Sequence, residues 1–222
     1  MPVVNITLIA ANTLLFLYEL SLGPRLEGFV MQAAFVPDRF FSPEYGPGPG
    51  AEMASALLSM FLHGGWAHFL GNMLFLWIFG DNVEDRLGHI RYAVFYLAAG
   101  YAATFAHALA APNSTLPSIG ASGAISGVLG AYVVLYPTAR IVTLMFIGFL
   151  SRLVEVPAWM YLIVWFLIQF VSGLASLGVP TDQGGIAWFA HIGGFVAGPL
   201  LLLLLGGFSR RRRQPQQPAN VW

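Results

Sequence analysis

Apolar residues run through the chain in long blocks, separated by short clusters of Pro, Gly and charge. A helix crossing a bilayer needs about 20 mostly apolar residues. Six stretches approach that length: Val3–Leu22, Trp66–Phe79, Tyr92–Ala110, Ser122–Tyr136, Pro157–Ala175 and Gly185–Leu205. The pattern predicts an all-α polytopic membrane protein, with a six-helix bundle over residues 1–208 and a basic, disordered tail over 209–222. The run Ile141–Leu150, between Arg140 and Arg152, is too short at ten residues to cross and reads as an interfacial loop. The stretch 21–63, which contains "SPEYGPGPG", reads as a long loop packed on the bundle.

Composition supports the same class. Hydrophobic residues make up 57% of the 222 and charged ones 9%, with a mean hydropathy of +0.71. A soluble domain is normally about 25% charged. The net charge of zero argues against a nucleic-acid partner. With no cysteine, disulfides and thiolate chemistry are excluded. Met1–Leu22 has neither a basic start nor a small-residue cleavage site, so it reads as a retained span.

All 10 basic residues are Arg. If both termini are cytoplasmic, Arg86, Arg91, Arg140, Arg152 and Arg210–Arg213 lie inside and only Arg25 and Arg39 outside, which satisfies the positive-inside bias.

The fourth span carries the first hint of chemistry. It opens "GASGAISGVLG" and is 15 residues long, about 22 Å at 1.5 Å per residue, against a hydrocarbon core of roughly 30 Å. Its helix must therefore begin below the membrane surface. The preceding loop then lies at membrane depth, tolerated only where protein buries it or a water-accessible cavity forms. Ser122 falls at the floor of that cavity. By the same ruler His191 in the sixth span and His68 in the second lie at about the depth of Ser122, with Asn72 one turn below His68 on the same face.

Taken singly, these residues have ordinary readings. Intramembrane serines usually bond to their own backbone or a neighbouring helix. A buried histidine is often a packed, hydrogen-bonded one, and His107 in the third span is read that way. The glycines Gly123, Gly127 and Gly130, and likewise Gly194 and Gly198, form small faces that let backbones approach closely. If the two faces meet, Ser122 and His191 meet at their tops. Serine is a poor nucleophile until an adjacent base takes its proton, and neutral imidazole suits a desolvated site. The Ser122 backbone N–H, His68 and Asn72 are candidates for an oxyanion hole. Without an intramembrane carboxylate on these spans, a Ser–His dyad for peptide-bond hydrolysis is expected, with no cofactor and no metal.

Together, "HGGWAHFLGN", "DNVEDRLG", "GASG" and "AHIGGFVAG", in that order, resemble the rhomboid family of intramembrane serine proteases. The resemblance implies Ser122 as nucleophile, His191 as base, and His68, Asn72 and the Ser122 amide as the oxyanion hole. His63, Gly120, Ala121 and Gly123 would line the site, and Gly127, Gly194 and Gly198 would pack the helices. Glu84 and Arg86 match a structural motif outside the chemistry. The resemblance further implies single-pass transmembrane substrates embedded with the protein in membrane lipid, and a gate and cap formed by the fifth span and the loop Ser176–Gly184. The expected location is a bacterial inner membrane, with the active site open to the outer side. Two features depart from family patterns: no Trp-Arg pair anchors the first outer loop, and Ser126 stands where some relatives place an aromatic residue against the histidine. The competing readings are a catalytically silent relative that binds membrane helices, which would lack Ser122 or His191, and a small-solute transporter, which would show paired repeats.

Overall fold

A computed structural model describes residues 1–42, 44, 48–147, 150–176 and 187–207. Most of the cap loop and the whole tail 209–222 lie outside the described residues. The described part of the chain is a helical bundle. Helix α1 (Val3–Leu22) leads through a short 3-10 turn into α2 (Leu26–Ala33), and α3 (Pro37–Phe41) and α4 (Pro49–Ser59) complete the first connection. Helices α5 (Trp66–Phe75) and α6 (Asp81–Leu87) are joined by a π turn at Leu76–Gly80. Helices α7 (His89–Ala110), α8 (Ser122–Leu135), α9 (Ala158–Ser176) and α10 (Trp188–Leu204) follow. Among the described residues each of the six sequence-derived spans is helical over most of its length, the fifth starting at Ala158 because Pro157 ends a strand. Among the described residues, Val3–Ala33, His89–Ala110 and Ala158–Ser176 are long and apolar enough to cross a membrane, while Ser122–Leu135 and Trp188–Leu204 are shorter apolar helices.

The bundle is apolar on its surface as well as in its core. Large apolar side chains face outward, with Leu14 at 69%, Leu109 at 72% and Leu203 at 62% exposure. Polar residues turn inward: on α1 the buried positions are Asn5, Asn12, Phe16 and Glu19. Such a surface is stable only against lipid.

The interior is organised around α8. Every residue from Gly123 to Tyr132 is buried. Its small faces are why α7 and α10 approach so closely. A Cβ at Gly194 would strike the Gly123 carbonyl oxygen, one at Gly198 the Gly127 carbonyl oxygen, and one at Gly127 would stand 2.5 Å from the Ala99 Cβ of α7. Pro199, inside α10, has no N–H for the Phe195 carbonyl, and that carbonyl packs against Gly130.

At the opposite end from Ser122, Glu84 accepts from the backbone N–H groups of Val4 (3.0 Å) and Asn5 (2.7 Å) at the start of α1, and bonds His89 Nδ1 at 2.5 Å. Its carboxylate thus caps a helix terminus whose first N–H groups have no intrahelical acceptor. Arg86 Nε donates to the Gly207 carbonyl just past α10 at 2.6 Å. The motif flagged in the sequence therefore clamps α1, α6 and α10 together, away from the hydroxyl–imidazole pair.

One sequence expectation is corrected. The segment read as an interfacial loop is an antiparallel hairpin, β1 (Arg140–Ile147) with β2 (Leu150–Pro157), in the register Arg140↔Pro157 to Ile147↔Leu150. Ten apolar residues are too few to span, but the backbone polar groups at a membrane edge still need partners. The β-branched Ile141 and Thr143, opposite Val156 and Val154, belong to a strand pair that satisfies them. Ile141 is buried in the main core and roots the hairpin.

Candidate active site

The chain before α8 is pinned in an extended path. The Ser118 N–H donates to the Phe35 carbonyl at 2.8 Å within an isolated antiparallel bridge, and the Gly120 N–H donates to the Ser59 carbonyl at 2.8 Å. Gly120 has φ +123°, the left-handed region that a side chain disfavours, and a Cβ there would stand 2.6 Å from His68 Nε2 and 3.5 Å from Ser122 Oγ. Helix α8 can thus begin only after Ala121, with Ser122 as its first residue. The amide N–H groups of that opening turn have no carbonyl within the helix to accept them.

The connection between α1 and α5, for which the sequence offered no anchor, is held by a buried ion pair. Arg39 Nε lies 2.9 Å from Glu52 Oε1, and Glu52, fully buried on α4, also accepts from the Val36 N–H at 3.1 Å. The Ser59 hydroxyl accepts from the Phe35 N–H at 2.7 Å. This loop is what presents Phe35 to Ser118.

His191 sits in the first turn of α10, three residues before Gly194. The close α8–α10 packing places its Nε2 2.8 Å from Ser122 Oγ. Both residues are half-buried, so the hydroxyl is not sealed in a lipid-facing helix. A cavity beside Ser122 is lined by Ser59, Met60, Thr104, Ser118, Gly120 and Gly123 among others. Ala121 is buried beneath the turn, and Gly123 abuts Ala103 of α7.

His68 and Asn72 share a face of α5. The Gly64 N–H donates to His68 Nδ1 at 3.3 Å, so a neutral His68 carries its proton on Nε2, the atom beside Gly120. Asn72 Nδ2 is a buried donor with no hydrogen-bond partner among the described residues. His63 is buried between Phe16 and Phe69, with its ring 5.2 Å from that of His68. The backbone N–H of His63 donates to the Glu19 carboxylate at 3.1–3.2 Å, which ties α1 to the wall of the site.

Ser126, in place of an aromatic residue, donates back to the Ser122 carbonyl at 2.6 Å. The imidazole instead meets Trp165 of α9, with ring centroids 5.9 Å apart, and Trp188 of α10 at 6.4 Å. Its Nδ1 lies 2.7 Å from Gln169 Oε1 on α9. The sequence reading passed over Gln169. Its signal was nonetheless present, as an amide in the otherwise lipid-compatible run "LIVWFLIQFVSGL". His107, read as structural, has a buried Nδ1 with no hydrogen-bond partner among the described residues.

A hydroxyl on an imidazole inside an apolar bundle is compatible with more than one lineage, and comparison with known proteins decides among them. The family model described as the rhomboid domain matches residues 50–208. The chain belongs to the rhomboid family. It is 34% identical over 143 residues to RHOMBOID-like protein 4 of Arabidopsis thaliana, covering 63% of this chain and 31% of that protein. It is 30% identical over 177 residues to Rhomboid protein 1, mitochondrial, of Saccharomyces cerevisiae, covering 76% of this chain and 46% of that one. Rhomboid protease GluP of Bacillus subtilis is 35% identical over 142 residues, 64% of this chain and 24% of GluP. The chain spans less than half the length of these curated relatives. Membership makes this rhomboid an integral membrane protein of a family that holds serine proteases and also inactive members.

Proposed function

We propose that this rhomboid is an intramembrane serine endopeptidase that hydrolyses peptide bonds in or near the transmembrane segments of single-pass membrane proteins. The observation that carries the reading is the 2.8 Å approach of His191 Nε2 to Ser122 Oγ, at the tops of two helices locked by glycine packing. The imidazole takes the hydroxyl proton as Oγ attacks the scissile carbonyl carbon, and returns it to the leaving amine. A water then repeats the sequence on the acyl-enzyme, releasing the acid and restoring Ser122.

The negative charge on the tetrahedral oxygen requires donors already in place. Three groups are suited to stabilise it. They are the Ser122 N–H at the start of α8, the His68 Nε2–H directed by the Gly64 N–H on its other nitrogen, and the unpartnered Asn72 amide. In this reading both termini are cytoplasmic and the Ser122 end of the bundle opens to the outer side. The arginine distribution supports that orientation, and the bacterial relative supports a bacterial inner membrane.

Purified protein in liposomes with a single-pass substrate should cleave it, and Ser122→Ala and His191→Ala should each lower the rate by on the order of 10⁴-fold or more. Cleavage by Ser122→Ala at the wild-type rate, or no cleavage by the wild type against a panel of such substrates, rejects the reading; the second result favours a silent, helix-binding rhomboid.

A further inference from the structure

We propose that Gln169 is a positioning residue: it fixes the tautomer of His191, so that α9 supplies a working part of the site as well as one of its walls. The proposal rests on the Ser122–His191 dyad being the catalytic pair. A neutral imidazole carries one N–H. To take the Ser122 proton, Nε2 must be bare and the proton must sit on Nδ1. The reverse tautomer donates from Nε2 to Ser122 Oγ and has no base to offer. Whatever accepts from Nδ1 therefore decides whether the pair is competent.

Among the described residues that acceptor is an amide. Gln169 Oε1 lies 2.7 Å from His191 Nδ1, and the Gln169 side chain is buried at 6% exposure on a helix most of whose other side chains face lipid. An amide held at membrane depth is stabilised only by a partner, and here the partner is the base itself. The surrounding face of α9 is built to hold this contact. Trp165, Gln169 and Gly173 recur at a spacing of four, one above another on a single helical face. The Trp165 ring lies 5.9 Å from the imidazole and 6.1 Å from Phe195, limiting how far the imidazole can swing. At Gly173 a Cβ would stand 3.2 Å from Ile192 Cδ1 and 3.3 Å from Trp188 Cβ, so a glycine there lets α9 lie close to α10 and brings the amide within reach.

Glutamine can present either end to Nδ1. With the carbonyl turned in, it selects the competent tautomer. With the NH₂ turned in, it selects the incompetent one. A carboxylate at the same place can only accept, and so selects the competent tautomer. Two substitutions of similar length therefore separate the role from mere filling of space. Gln169→Met keeps the volume and removes the acceptor, and Gln169→Glu keeps the acceptor.

The test compares wild type, Gln169→Met, Gln169→Glu, Ser122→Ala and His191→Ala in the same liposomes. Cleavage kinetics, the rate of fluorophosphonate labelling at Ser122 and the unfolding temperature are read for each. Gln169→Met should lower kcat by about 10- to 100-fold, as expected for loss of one buried hydrogen bond, with KM within about twofold of wild type. The labelling rate, which needs no substrate docking, should fall by the same factor. Gln169→Glu should restore kcat to within about threefold of wild type. Wild-type kcat in Gln169→Met overturns the proposal, as does a Gln169→Glu variant that stays folded but is no faster than Gln169→Met. If Ser122→Ala itself still cleaves, the dyad reading fails and takes this proposal with it. If only the Gln169 variants behave like wild type, the dyad stands and the positioning role alone is refuted.

Discussion

Gly194→Ala puts the link between packing and chemistry under the greatest strain. A Cβ at position 194 would run into the Gly123 carbonyl oxygen, with the Gly123 carbonyl carbon at 3.1 Å and Ser126 Cβ at 3.2 Å. Two of those three atoms are α8 backbone, so no rotamer change relieves the clash. Helix α10 must back away by on the order of 1 Å before the new carbon reaches an ordinary contact of about 3.5 Å. Overpacking of this kind costs about 1–3 kcal/mol of stability. The same shift stretches the Ser122–His191 hydrogen bond from 2.8 Å to beyond the range of a real one. Misplacing a reacting group by about 1 Å is worth roughly 100-fold in rate. The assay is cleavage of a single-pass substrate at a temperature where both proteins remain folded, with the folded fraction measured on the same sample. Gly28→Ala, whose Cβ meets nothing within 4 Å, serves as the control and should leave the rate unchanged. A folded Gly194→Ala protein that cleaves at the wild-type rate would refute the claim that the glycine faces set the dyad distance.

Other substitutions probe the remaining joints of the structure. Gly120→Ala adds left-handed strain of about 1–3 kcal/mol and a carbon 2.6 Å from His68 Nε2, so cleavage should fall about 100-fold with a smaller loss of thermal stability, read from kinetics and unfolding in parallel. Glu84→Ala leaves the Val4 and Asn5 N–H groups without their carboxylate, and should lower stability by about 1–3 kcal/mol in detergent unfolding while the activity per folded molecule is retained. Arg39→Met strands the fully buried Glu52, at a cost of about 3–5 kcal/mol, and limited proteolysis should then cut within residues 34–62 faster than in wild type.

The lengths of the apolar runs made the helical architecture legible, because a run of apolar residues is a local property of the chain. The small faces of α8 and α10 also stood out as glycines at helical spacing, but the sequence did not show which faces meet, since Ala99 and Ala103 of α7 recur at the same spacing and lie against Gly127 and Gly123. Pairings set by tertiary packing were harder to read. Glu52 and Arg39 are 13 residues apart across an irregular loop, and Glu19 reaches the His63 N–H across 44 residues. No local pattern marks either pair. The hairpin at 140–157 was hidden because its first strand reads as a broken apolar span, and length ruled out crossing without choosing between loop and strand. Gln169 lay between these cases. Its amide was conspicuous in an apolar helix, but which way it faced depended on Gly173 and Trp165 meeting α10.

The dyad is probed most directly by mapping where a fluorophosphonate probe attaches covalently to the intact protein in lipid. A single adduct is expected, on the Ser122 peptide, and it should disappear in His191→Ala while that variant remains folded. An adduct on another serine, or labelling of Ser122 that persists undiminished without His191, contradicts the catalytic pairing of these two residues.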